Sequence, residues 1–240
     1  MKILALESSA LSASAAICAD GTMIAEIWQR TGLTHSETLL PMAQELLKSA
    51  GIPLSDIGLF AVSAGPGSFT GLRIGIATVK GLAYAMDRPC AGVSSLEGLF
   101  RAHAAYPRGS AVVCLMDARV GQVYAAAFDA NTGARLLADR AIPLDVLKAD
   151  LEALSRPLWL TGDGAALGFD AWKDSLPVTL APDCDRWQHA RGIALAAAAL
   201  PPEAYVSASA LRPAYLRLPQ AERERLARLA QSGTESGSKN

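Results

Sequence analysis

Histidine and cysteine are scarce in this chain, three and four among 240 residues, and neither is grouped as a metal site requires. His35, His103 and His189 fall in no H-x-x-x-H or H-E-x-x-H spacing, and Cys18, Cys90, Cys114 and Cys184 form no C-x-x-C pair. Metal-dependent chemistry therefore has no visible ligands, and the cysteines read as small buried hydrophobes in a reducing compartment. Excess charge is missing too. With 22 Lys and Arg against 23 Asp and Glu, the formal net charge is −1, so no global field draws the protein to nucleic acid. The richest apolar run, Ala194 to Leu200, is far too short to cross a bilayer, and Met1 to Leu6 is a short strand rather than a secretory signal. A cytoplasmic protein without a membrane segment is expected. No G-x-S-x-G elbow or paired histidine accompanies Ser8, Ser9, Ser12 and Ser14, which read as turn and strand serines.

What is plentiful is small and apolar: 51% of residues are hydrophobic and 20 are glycine. The length allows one large domain or two small ones. The organising stretch is Ser63-Ala64-Gly65-Pro66-Gly67-Ser68-Phe69-Thr70-Gly71-Leu72-Arg73, preceded by Phe60-Ala61-Val62 and followed by small residues to Met86. It reads as strand, tight loop and helix, with Ser68 or Thr70 as cap. A glycine-rich turn of this kind can cradle phosphate on a helix N-terminus. The G-x-G-x-x-x-G spacing is neither a dinucleotide fingerprint nor a Walker loop, so a plain tight connection is the favoured alternative.

On the helix from Thr70 to Met86, Gly71, Gly75, Thr78 and Leu82 form one stripe, and Ile74, Ala77, Gly81 and Ala85 another. Two small-residue stripes predict close packing on two sides, either within the domain or against a partner. Upstream, Thr34-His35-Ser36-Glu37 offers a capping box for a helix bearing Leu39, Leu40, Ala43, Leu46 and Leu47. Pro41 fits only a first turn, which puts the start of the regular helix near Thr38 and its close at Gly51. The adjacent pairs Leu39-Leu40 and Leu46-Leu47 point about 100° apart, more apolar surface than one sheet covers.

Taken in order, strands at 2–7, 12–18 and 22–29, with a hairpin at Asp20-Gly21, precede this helix, a strand at 57–63, the small-residue helix, a strand at 90–93 and a helix from Ser94 to Ala105. After Pro107-Arg108-Gly109 the order begins again. Strands at 111–116, 122–128 and 134–140 lead to a helix from Pro143 to Leu154, a strand at 158–161, a helix to Asp174 and a strand at 178–180. The fold class is therefore α/β: two tandem βββαβαβ halves, each a mixed sheet flanked by helices, facing one another across a cleft. The halves are assigned to residues 1–106 and 107–218, with a helix at 188–200 packed back on the first. Residues 219–240 are assigned to a short charged helix and a disordered tail. Trp159, Trp172 and Trp187 read as core.

The layout resembles the actin, Hsp70 and sugar-kinase superfamily, whose ribonuclease-H-like halves hold ATP phosphates on their first hairpins. By that resemblance Glu7, Ser8 and Ser9 in the first half and Asp117 in the second occupy phosphate-site positions. Gly162, Asp163 and Gly164 occupy an adenosine-site position, and all seven read as degenerate. Glu7-Ser8-Ser9 lacks a glycine, Gly162-Asp163-Gly164 serves equally as a turn after a strand, and Asp117 with Arg119 reads as a turn carboxylate or a local ion pair.

The Ser63-to-Arg73 motif, Met116-Asp117-Ala118-Arg119, Val123-Tyr124 and Pro213-Ala214-Tyr215-Leu216-Arg217 together resemble the bacterial TsaB, or YeaZ, family over residues 1 to about 218. The resemblance implies a non-catalytic partner of TsaD in forming N6-threonylcarbamoyladenosine beside the anticodon of tRNAs that read codons beginning with A. TsaE is the further partner implied, and tRNA is reached only through the complex. The interface would lie on Leu39, Leu40, Ala43, Leu46, Leu47, Gly71, Ile74, Gly75, Thr78 and Leu82, and the chain alone would pair as a homodimer. No catalytic residue, metal or cofactor is expected, and ATP binding by the isolated subunit is disfavoured. Two alternatives stand beside this: a small-molecule kinase of the same superfamily, and a metalloprotease, which the scattered histidines disfavour.

Overall fold

The computed structural model describes residues 1–103 and 105–217, and the charged helix and tail expected at 219–240 lie outside the described residues. The first half runs β1 (Lys2–Glu7), β2 (Ala13–Ala19), β3 (Thr22–Gln29), α1 (His35–Ser49), β4 (Ile57–Gly65), α2 (Phe69–Met86), β5 (Cys90–Ser94) and α3 (Ser95–Arg101). The second runs β6 (Ala111–Asp117), β7 (Gln122–Asp129), β8 (Arg135–Pro143), α4 (Leu144–Ala153), β9 (Leu158–Thr161), α5 (Ala165–Trp172), β10 (Val178–Leu180) and α6 (Ala190–Ala198). The sheets are ordered β3-β2-β1-β4-β5 and β8-β7-β6-β9-β10. In each, an antiparallel meander pairs through its first strand with two parallel strands. The two halves thus repeat one actin-like topology. Local chemistry sets the first hairpin: Asp20 and Gly21 take φ of 48° and 78° between Ala19 and Thr22, a primed turn whose twist suits the flanking strands.

The central strands are apolar from Ile3 to Leu6 in β1 and from Ala111 to Met116 in β6, because helices cover both faces of each sheet. On one face of the first sheet, Leu4, Leu6, Phe60 and Val62 pack with Leu39 and Leu46 of α1 and Ile76 and Val79 of α2. On the other, Ile3, Ala5, Leu59 and Ala61 pack with Ile193 and Ala197 of α6. In the second sheet, Val113, Leu115 and Leu160 meet Leu147, Leu151 and Trp172, while Val112, Cys114, Met116 and Phe128 meet Leu96 and Leu99 of α3. The last helix of the first half therefore covers the second sheet, and the last helix of the second half covers the first. Between the sheets α3 and α6 cross at Gly98 and Gly192.

Three expectations are corrected. Helix α1 begins at His35 and carries Pro41 inside it. The Glu37 carbonyl that Pro41 leaves without an i+4 donor lies on the exposed side of the helix, where water can satisfy it. The capping box is not formed either, since the Thr34 hydroxyl donates to the Glu37 carboxylate at 2.8 Å instead of accepting a backbone N–H. Of the four cysteines, Cys184 is exposed. It sits in a short 3₁₀ turn, Asp183–Asp185, between β10 and α6.

Candidate functional site

The cleft between the halves, about 420 Å³, opens where the β1–β2 turn, the start of α2 and the β6–β7 turn converge. Its lining includes Ser9, Ser68, Asp117, Arg119, Asp163 and Arg217. The structure thus brings together Ser9, Asp117 and Asp163 of the seven degenerate positions and turns the rest to internal work.

Glu7 is 1% exposed, and its Oε1 accepts the Ser9 N–H at 2.5 Å and the Ser63 hydroxyl at 3.1 Å. Burial pushes its carboxyl up, against the pull of those hydrogen bonds. Ser8 faces away from the cleft, and its hydroxyl donates to the Gly71 carbonyl at 2.9 Å. This contact explains two glycines. A Cβ on Gly71 would lie 2.0 Å from the Ser8 carbonyl oxygen, and one on Gly75 2.4 Å from the Ser8 hydroxyl. The first hairpin therefore seats α2 through Ser8, while Ser9 lines the cleft.

In the second half, the exposed Asp117 folds its carboxylate onto the Arg119 N–H at 2.7 Å, a turn carboxylate. Gly162 and Gly164 are close-approach residues, because a Cβ on either would fall 1.9 Å from the Leu115 oxygen or 2.9 Å from the Asp117 nitrogen. Between them Asp163 is half-buried at the cleft, accepts from Gln188 Nε2 at 2.6 Å, and has its carboxyl pushed up to about 6 by partial loss of solvent. Among the described residues, no three of His, Cys, Asp and Glu converge as a metal set.

The helical surface proposed for a partner is half internal. Leu39, Ala43, Leu46 and Leu47 of α1 are buried in the first core, and Gly71 and Gly75 lie against Ser8. Those six are corrected from interface to core. Ile74, Thr78 and Leu82 are half-buried, and Leu40 is 40% exposed. The two stripes of α2 have separate roles: the one starting at Gly71 packs inward, while Ala77, Gly81 and Ala85 of the other face solvent with Arg73 and Tyr84. Tyr84 is 84% exposed, and among the described residues nothing lies within 4 Å of the Gly81 Cβ position. The sequence reading passed over Tyr84, though it lies three residues beyond Gly81 on the same stripe.

A family model described as TsaD, tRNA N6-adenosine threonylcarbamoyltransferase, matches residues 28–148. The tRNA threonylcarbamoyladenosine biosynthesis protein TsaB of Escherichia coli is 33% identical over 179 residues, covering 72% of this chain and 74% of that protein. The protein of the same name from Bacillus subtilis is 33% identical and covers 70% and 73%. The chain belongs to the TsaB family. A crystal structure called YeaZ from Pseudomonas aeruginosa superposes with a TM-score of 0.72 at 28% identity, covering 90% of this chain and 99% of that one. The similarity to the transferase itself is partial. The enzyme of Moorella thermoacetica is 36% identical over 122 residues, only 36% of its length. The transferase model ends within α4.

Proposed function

We propose that this chain acts in tRNA threonylcarbamoyladenosine biosynthesis as a non-catalytic subunit that docks a TsaD-type transferase on the solvent face of α2 and the adjoining edge of α1. TsaE is the further protein of the assembly, tRNA is reached through it, and the setting is the cytoplasm. One observation carries the docking surface. Gly81 costs a helix about 1 kcal/mol relative to alanine, nothing among the described residues occupies the space beside it, and it lies between exposed Ala77, Tyr84 and Ala85. A second helix approaching there offsets that cost and covers Tyr84 and Leu40. Alone, the same face pairs two copies of the chain.

The non-catalytic reading is supported by how the hairpins are used: Glu7, Ser8 and Asp117 each serve a neighbouring backbone or side-chain group of the fold. No cofactor is assigned to the isolated subunit. The test is Gly81→Glu, a change with open space around it, assayed by co-elution with TsaD of the same organism. Binding should weaken by roughly tenfold or more while the melting temperature stays put. Wild-type affinity in a folded variant places the interface elsewhere. A small-molecule kinase is the competing reading, and calorimetry with ATP and magnesium separates them. Tight binding with turnover of a polyol would favour the kinase.

A further inference from the structure

Residues 206–217 run from one half to the other. At one end Val206 exchanges both backbone hydrogen bonds with Cys90 at 2.7 and 2.9 Å, and Leu211 is 3% exposed in the first core. Further along, the Ala214 N–H reaches the Ala64 carbonyl at 2.7 Å. Gly65 is glycine for this reason among others, since a Cβ there would meet the Ala214 oxygen at 2.3 Å. Tyr215 stacks on Phe69 at 4.7 Å, and its hydroxyl accepts from Arg73 Nε at 3.1 Å. Finally Arg217 crosses the cleft mouth and donates to the carbonyls of Ala118 and Arg119.

Those carbonyls belong to an unusual turn. Arg119, Val120 and Gly121 take φ of 62°, 55° and 69° in succession, and a β-branched residue such as Val120 is a true outlier there. Such backbone persists where surrounding contacts over-determine it. The turn's own bonds are Arg119 N–H to the Asp117 carboxylate at 2.7 Å, Ala118 N–H to Gln122 O at 3.1 Å and a longer one, Gln122 N–H to Arg119 O at 3.3 Å. Arg217 supplies the additional hold from outside. Arg73, at the other side of the latch, is exposed and lies one helical turn before Ala77 on the solvent stripe of α2.

We propose that residues 206–217 are a latch across the cleft, bolted by Arg217 to the 118–121 turn, and that Arg73 couples the latch to a protein docked on α2. The coupling rests on the docking reading above, whereas the bolt does not. A partner that takes up the Arg73 guanidinium withdraws it from Tyr215, loosens the end of the segment that carries Arg217, and frees the turn at the cleft mouth. Docking on the outside of α2 thereby opens the cleft on the far side of Phe69.

Hydrogen exchange of the full chain tests both parts. Arg217→Ala should speed exchange at the Ala118 and Gln122 amides by roughly tenfold, the scale of losing hydrogen bonds from a charged donor, and leave the Ala214 amide protected. Unchanged exchange at Ala118 and Gln122 overturns the bolt. With saturating TsaD, exchange at those two amides should rise in the wild type and rise less in Tyr215→Phe, which keeps the ring on Phe69 and Arg73 over that ring at 3.8 Å but removes the hydroxyl that Arg73 holds. A complex that forms with no change at the turn overturns the coupling and leaves the docking reading intact. Failure to form any complex removes docking and coupling together, and Arg217→Ala still decides the bolt.

Discussion

Gly192 of α6 lies so close to the Gly98 carbonyl oxygen of α3 that a Cβ on Gly192 would sit 1.8 Å from it. The reverse contact is almost as tight, with a Cβ on Gly98 meeting Ile193 Cδ1 at 2.3 Å. This crossing joins the helix that covers one sheet to the helix that covers the other, so it sets how the halves meet.

Gly192→Ala should therefore destabilise the protein by about 3 kcal/mol, the scale of overpacking against backbone that cannot move aside cheaply. Urea unfolding is the measurement. A loss under about 0.5 kcal/mol, the range of an ordinary surface change, would mean the helices separate freely.

Gly81→Ala has the opposite expectation. Gly81 is exposed mid-helix with open space at its Cβ, so alanine should stabilise the isolated chain by up to about 1 kcal/mol. If a partner helix needs the bare backbone there, the same variant should bind TsaD more weakly, and melting and binding measured side by side would show the two effects moving in opposite directions.

The contrast between these glycines shows where the sequence was readable. The repeated strand order was legible because turns such as Asp20-Gly21 state their geometry locally. The exchange of α3 and α6 was not, because one glycine in a short helix does not say which other helix comes near. The sides of α2 were equally hard to assign, since both stripes are small and apolar and the outside is marked by few polar residues, Arg73 and Tyr84 among them. Only the position of Ser8 beneath Gly71 and Gly75 separates them. At the cleft, the acidic positions were found from the repeat, but their use was not. Glu7 and Ser8 act within the fold through partners 56 and 63 residues away.

Thiol labelling under native conditions should modify one cysteine. Cys184 is exposed while Cys18, Cys90 and Cys114 are buried, and burial lifts the Cys114 thiol well above its usual range. Intact-mass measurement after brief maleimide treatment should show a single adduct, rising to four in denaturant. Rapid native modification at Cys114 would contradict the packing of α3 on the second sheet.

Asp163 gives a pH-dependent stability that can be isolated. Its carboxyl is lifted from 3.8 to about 6 by partial loss of solvent, with Gln188 donating to it and Asp117 adding repulsion. The folded chain therefore binds this proton more tightly than the unfolded chain does. The resulting stabilisation is complete below about pH 4 and lost as pH rises to about 6, where folding begins to require a half-buried charge. Asp163→Asn stays neutral throughout and retains an oxygen to accept from Gln188. Relative to the wild type, the variant should gain stability between pH 4 and pH 7.5, by at most about 3 kcal/mol for a shift near two pH units. Other groups with displaced titration, Glu7 among them, are common to both proteins and cancel in the difference. Urea unfolding of the pair at the two pH values reads it directly, and a difference that does not change with pH would mean Asp163 is solvated at the cleft floor and ionises like an ordinary surface carboxylate.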